Sequence, residues 1–314
     1  MVSIICPTYN QGKYLRQGLD SIFNQKVNFE YEVLVGEDCS PDNTNEILRI
    51  YEEKYPDKIQ VFHREKNLKQ SKNIYDLFMR AQGRYVITLD LDDYWSDEFK
   101  LQKQVDFLES HPKHMGVAHD YQKIDRDGNP LFEGEGAIAA HFLNRDFTLQ
   151  DFEKYTFVYQ TGTFMYRNIY KNGNDYSILY KADDTVVDLT INPMILLQGN
   201  VFIMEEKMSM YRQVISTGDE ATNARSVGQK NLALDYYKSC KQLKILHNYF
   251  EKKVNYSSMW SRLIVSYLKN MIKLKDARYS LMQWIGMFMA SSAATKKRVV
   301  AELGGSIGRK LKKE

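Results

Sequence analysis

The stretch Tyr85-Val86-Ile87-Thr88-Leu89-Asp90-Leu91-Asp92-Asp93-Tyr94-Trp95 decides how this chain reads. An apolar run of β-type composition ends in three carboxylates within four positions. Side chains alternate along a strand, so Asp90 and Asp92 share one face, and Asp93 points the other way as the chain turns. In open α/β sheets, ligands bind where strands end at their carboxyl edge. Acids this close repel one another unless a cation lies among them, and an all-oxygen donor set suits Mg²⁺ or Mn²⁺. Such ions take one or two carboxylates together with the phosphates of a substrate. The stretch therefore points to a metal–diphosphate site on Asp90, Asp92 and Asp93. Asp125-Arg126-Asp127 has the same spacing, but Gly128-Asn129-Pro130 follows it, a turn signature that marks a surface hairpin.

Outward from this run, the pattern predicts strands at 2–6, 32–35, 59–62 and 85–89. Helices are expected at 14–24, from Pro41-Asp42-Asn43-Thr44 to about residue 55, at about 71–82, and from Ser96-Asp97-Glu98 to just before His111-Pro112. The alternation predicts an α/β fold, a mostly parallel sheet with helices on both faces. Residues 115–215 mix short strands (115–119, 163–166, 201–204) with a helix near 189–198. From about 229 to 303 the pattern is helical. Two regions are expected, an α/β domain over 1–220 and a helical appendage over 221–314.

A hydrophobic content of 43% and a charged content of 26% are those of a soluble globular protein. Cys6, Cys39 and Cys240 form no CxxC pair, so neither a structural zinc nor a disulfide framework is expected, and a reducing cytosol fits. No secretory signal is read before the first strand. The apolar run 281–294 contains Gln283 and is too short to cross a bilayer. Residues 296–314 carry seven Lys/Arg against Glu302 and Glu314, a charge of +5 in a chain whose net charge is +3. A basic tail after an apolar, Trp-containing segment suits an anionic membrane surface. No nucleic-acid partner is expected.

With these pieces in order, the sequence resembles the inverting glycosyltransferases of family 2, which have the GT-A fold, and in particular those of bacterial surface-polysaccharide assembly. The residues that carry the resemblance are Ile4-Ile5-Cys6-Pro7-Thr8-Tyr9-Asn10 and Val35-Gly36-Glu37-Asp38-Cys39-Ser40-Pro41-Asp42-Asn43-Thr44. They continue with Asn67, Lys72-Asn73, Leu89 to Trp95, and Met208-Ser209-Met210-Tyr211-Arg212. The likeness covers residues 1 to about 215. It implies Pro7, Thr8 and Tyr9 beside the nucleobase, Asp38 on a pyrimidine N–H, and Lys72 near the diphosphate or ribose. It also implies Asp92 and Asp93 at ribose and metal, with Asp90 opening the motif. Glu37 stands where the family commonly has aspartate. Many relatives carry a histidine directly after the last Tyr-Arg, where it reaches the metal; here Gln213 follows, a poor ligand. Arg212 then becomes a candidate to neutralise the diphosphate.

Inversion needs a carboxylate opposite the leaving group to take the proton of the acceptor hydroxyl. Counting back from Gly199 and the 208–212 motif, the family's catalytic aspartate falls on Asp188, with Asp183 and Asp184 as the alternatives. Asp188 at a helix start also reads as a simple N-cap. The expected protein is a metal-dependent inverting enzyme that moves a sugar from a nucleotide-sugar, a UDP-sugar by expectation, to a saccharide or lipid-linked saccharide. It would lie in the cytoplasm, peripheral on the inner face of the plasma membrane. The rivals are a nucleotide-sugar-binding scaffold without turnover and a sugar nucleotidyltransferase, the latter disfavoured because the first loop has only Gly12.

Overall fold

The computed structural model describes residues 1–131, 136–156, 158–213, 232–274 and 280–311. The first 150 residues alternate strand and helix. Strands β1 (Val2–Thr8), β2 (Tyr31–Glu37), β3 (Ile59–His63) and β4 (Tyr85–Thr88) are interleaved with helices α1 (Leu15–Phe23), α2 (Thr44–Lys54) and α3 (Gln70–Arg80). Then come β5 (Tyr94–Trp95), α4 (Lys100–Ser110), β6 (Gly116–Ile124), β7 (Arg145–Phe147) and α5 (Leu149–Tyr155). Strand β8 (Met165–Arg167), helices α6 (Ile178–Ala182) and α7 (Asp188–Leu196), and strand β9 (Val201–Arg212) follow.

All nine strands form one sheet in the order β3-β2-β1-β4-β8-β6-β9-β5, with β7 also on β9. The β3-β2-β1-β4 half is parallel, as the alternation dictates. The other half is mixed: β8 runs antiparallel between β4 and β6, β6 and β9 are parallel, and β5 lies antiparallel on β9. Strands β1 and β4 are buried along their whole length, because helices cover both faces. Ile4, Val33 and Ile87 pack with Leu15, Leu19 and Ile47 in the main core.

Several elements differ from the sequence expectation. Strand β9 runs on to Arg212 rather than ending at 204, since Ser209 to Arg212 pair with β6 and Ser209 and Met210 also with β5. The segment expected as a strand from 163 begins as a 3-10 turn, Thr161–Thr163, and β8 starts only at Met165. The Asp125 loop is a surface turn: its carboxylate accepts from the Asp127 and Asn129 amides, and Ile124 bridges Pro130.

The chain divides into two compact units. One comprises 1–148 and 157–229. The other comprises 149–156 and 230–314, so α5 belongs with the helical part. In that unit the helices are α8 (Leu232–Tyr249), α9 (Ser257–Leu274), α10 (Leu281–Ala290) and α11 (Ala293–Leu311). Phe152 of α5 packs edge-on against Tyr256, and the Glu153 carboxylate accepts from the Asn255 amide at 2.7 Å. The boundary expected at residue 220 lies outside the described residues.

Candidate active site

The carboxyl ends of β1, β2 and β4 lie side by side. The Asp38 amide donates to the Thr8 carbonyl at 2.9 Å, and the Leu89 amide donates to the Ile5 carbonyl at 2.9 Å. Pro7, Thr8, Asp38 and Asp90 therefore belong to one sheet edge. Two residues there, Asn10 (φ 55°) and Cys39 (φ 64°), hold left-handed backbone that non-glycine residues rarely adopt. The Glu37 carboxylate fixes the second loop by accepting from the amides of Cys39 and Ser40. Asp38, 2% exposed, accepts from the Leu68 amide at 2.6 Å and so ties this edge to the start of α3. Burial is the largest influence on its carboxyl and raises its pKa. Lys72 is exposed, with its ammonium 5.7 Å from the centre of the Tyr180 ring.

In the acid loop, Leu89 and Leu91 are fully buried while Asp90 is half-buried. Burial of each leucine is worth about 1.5–3 kcal/mol, which holds the intervening acid out of the core. The chain turns at once, the Asp93 amide donating to the Asp90 carbonyl at 3.0 Å. Asp93 faces inward. Its Oδ1 accepts from the Arg212 amide at 2.7 Å and its Oδ2 from the Gln160 side-chain amide at 2.9 Å. Asp92 accepts from the Gln11 side-chain amide at 3.4 Å.

Arg212, expected at the diphosphate, is 2% exposed and engaged by the protein itself. Its Nε donates to the Asp92 carbonyl at 2.9 Å, and Nη1 donates to the carbonyls of Asp125 and Arg126 at 3.2 and 3.1 Å. Its Nη2 donates to Gln17 at 2.8 Å, and the guanidinium lies 4.3 Å from the centre of the Tyr14 ring. The arginine grips the backbone beneath Asp92.

Asp188 is the first residue of α7, and the Thr161 hydroxyl donates to its Oδ1 at 3.2 Å. Asp92 and Asp188 both lie near enough to Asp90 for their charges to act on it. Burial pushes the Asp90 carboxyl up to about 8, and the negative charges of Asp92 and Asp188 add to the rise. Burial likewise raises Asp92, Asp93 and Asp188, while Arg212 works against the rise at Asp92. The alternatives to Asp188 are committed elsewhere. Asp183 accepts from the amides of Thr185 and Val186 and from the Thr185 hydroxyl, and Asp184 pairs with Lys69. His119 is buried between the Asp120 carbonyl and Ser209.

Among the described residues, no group of three or more His, Cys, Asp or Glu side chains is disposed to hold a metal ion. Of the trio Asp90, Asp92 and Asp93, Asp93 has one hydrogen bond on each carboxylate oxygen within the fold. Asp90 and Asp92 are less heavily bonded, Asp92 accepting from Gln11 alone among the described side chains. Asp90 accepts no side-chain hydrogen bond from the described residues and suffers the like charges of its neighbours, a deficit that a divalent cation would relieve. Two oxygen donors fit an ion that completes its shell from a diphosphate and water.

Sequence reasoning missed Gln160, Thr161 and Gln11. Each acts through one side-chain contact across the fold, and no local spacing announces it.

The sequence model of glycosyl transferase family 2 matches residues 3–173, more than half of the chain. The chain belongs to glycosyl transferase family 2. Among its relatives, the chain is 28% identical over 212 residues to the uncharacterised protein Rv1520 of Mycobacterium tuberculosis, an alignment covering 68% of this chain and 58% of the relative. It is 35% identical over 131 residues to TuaG of Bacillus subtilis, named for teichuronic acid biosynthesis, covering 42% of this chain and 50% of TuaG. The chain thus spans about half the length of these curated relatives. The structure of S. aureus TarS residues 1–349 in complex with UDP-GlcNAc superposes with a TM-score of 0.62 at 19% identity, covering 96% of this chain and 83% of that one. That likeness shows the fold, which is GT-A with C-terminal helices.

Proposed function

We propose that this family-2 glycosyltransferase moves a sugar from a UDP-sugar to a hydroxyl of a saccharide or lipid-linked saccharide, with inversion at the anomeric carbon. The observation that carries the reading is the nearness of Asp188, at the start of α7, to the acid loop, where its charge and that of Asp92 both act on Asp90. TarS, which shares the fold, has been crystallised with UDP-GlcNAc, in keeping with a UDP-sugar donor. The base would lie against Pro7, Thr8 and Tyr9, with Asp38 toward the pyrimidine, Asp92 toward the ribose and Lys72 toward the phosphates.

Asp188 takes the proton of the acceptor hydroxyl as its oxygen bonds to the anomeric carbon. The bond from that carbon to the diphosphate oxygen breaks, and its electron pair leaves with the nucleoside diphosphate. The raised pKa of Asp188 suits it to this proton transfer, since a base works best when its pKa approaches the working pH. Asp90 and Asp92 would hold Mg²⁺ or Mn²⁺, which when bound neutralises charge on the departing diphosphate. Arg212 and Asp93 keep the acid loop in place.

The 1–220 region would hold this chemistry and the 221–314 region would associate with the membrane face in the cytoplasm. Among the described residues, no helix is long and apolar enough to cross a membrane. Helix α10 instead exposes Leu281 (56%), Met282 (75%), Ile285 (39%) and Met289 (62%), one turn-spaced apolar face ahead of the basic segment. Such a face with cations beside it suits an anionic lipid surface.

The test is UDP release and sugar transfer from a panel of UDP-sugars with Mn²⁺, with anomeric configuration read by NMR. Donor binding without turnover would favour the scaffold reading, and a product of retained configuration would exclude direct displacement.

A further inference from the structure

We propose that the turn Gln160-Thr161-Gly162-Thr163 is a rigid bridge between the acid loop and the base, with Thr161 the positioning residue for Asp188; the proposal rests on Asp188 being that base. The turn is held by hydrogen bonds from several elements. The Gln160 amide nitrogen donates to Asp93 Oδ2 at 2.9 Å, and its Oε1 accepts from the Gly162 amide at 2.7 Å. The Trp95 indole N–H, at the far end of the acid loop, donates to the Gly162 carbonyl at 2.9 Å. Gln104 of α4 donates to the Thr163 carbonyl at 2.8 Å, and the Thr163 hydroxyl returns to the Gln160 carbonyl at 2.7 Å. A Cβ at Gly162 would meet Gln160 Oε1 at 2.8 Å and Leu89 at 3.1 Å, so a side chain there would displace the Gln160 amide from its place in the turn. Fixed in this way, the turn offers one hydroxyl outward, from Thr161 to Asp188 Oδ1 at 3.2 Å.

The consequence is geometric. Asp93 and Trp95 belong to the loop that carries Asp90 and Asp92, and Asp188 belongs to α7, nearly a hundred residues on. The turn sets the distance between the two. A hydroxyl on Oδ1 restrains carboxylate rotation and keeps Oδ2 aimed at the acceptor. Loss of that hydroxyl should therefore lower turnover without weakening donor binding.

The test compares Thr161→Val, which keeps the shape and deletes the hydroxyl, with Thr161→Ser and Asp188→Asn, by UDP release from a panel of UDP-sugars with Mn²⁺. Thr161→Val should lower kcat about ten-fold with donor KM and Tm unchanged, and Thr161→Ser should recover most of it. Thr161→Ala serves the same purpose if the valine variant misfolds. Wild-type kcat in Thr161→Val beside an inactive Asp188→Asn would overturn the bridge and leave the base intact. Equal losses in the valine and serine variants would also overturn it, because the hydroxyl would not be the group that matters. An active Asp188→Asn, or a wild-type protein inert to the whole panel, would instead strike the functional reading beneath it.

Discussion

Arg212→Lys separates two roles for the most heavily bonded side chain of the site. In the structure the guanidinium serves four acceptors, the carbonyls of Asp92, Asp125 and Arg126 and the Gln17 side chain. Lysine keeps the charge but replaces a planar fork with a point donor. One ammonium cannot reach acceptors lying in three directions, so at least two lose their partner. A buried acceptor without a donor costs about 1–3 kcal/mol, which puts the loss near 3 kcal/mol. At about 2–4 °C per kcal/mol for a unit of this size, Tm should fall by roughly 6–12 °C. The assay is thermal or urea unfolding of the ligand-free protein, followed by UDP titration. Were Arg212 a direct phosphate ligand, the variant would unfold close to the wild-type temperature and bind UDP more weakly. That result would refute the positioning role.

Other outcomes follow from the same geometry. Asp188→Asn should retain donor binding and lower kcat by roughly 10²–10⁴-fold, whereas Asp183→Asn and Asp184→Asn should stay within a few-fold, as transfer assays on the three variants will show. Because burial raises the Asp188 pKa, and the base must be deprotonated, activity should be lost as pH falls through a value above the ordinary carboxylate range; a pH–rate profile with its midpoint at the usual 3.8 would contradict this. Asp93→Asn presents a donor where the Gln160 amide or the Arg212 amide already donates, and should cost about 1–3 kcal/mol in urea unfolding even without Mn²⁺. Asp90→Asn should leave the fold intact and abolish the Mn²⁺-dependent part of UDP binding, measured by calorimetry. Met282→Glu on α10 should reduce co-sedimentation with anionic vesicles, and unchanged sedimentation would remove the membrane role.

The local pattern was enough for much of this molecule. Apolar runs with helical spacing between them dictated the parallel half of the sheet, because strand and helix periods are written in consecutive residues. The same locality exposed the acid loop: Leu89 and Leu91 must enter the core, which leaves Asp90 at the edge. Asp188 was reached by counting from neighbouring motifs. Other features depend on partners far away in the chain. Strand β5 is two residues long and exists only because β9 lies beside it. The inward turn of Asp93 depends on Gln160 and Arg212, 67 and 119 residues distant. Arg212 read as a candidate to neutralise a diphosphate, and the fold adds that its guanidinium is buried against backbone carbonyls. Sequence alone thus determined which residue types gather at the carboxyl edge, since periodicity and turn chemistry are local. Only the tertiary structure decided which of the acids remain open to a ligand, because that depends on donors brought in by folding.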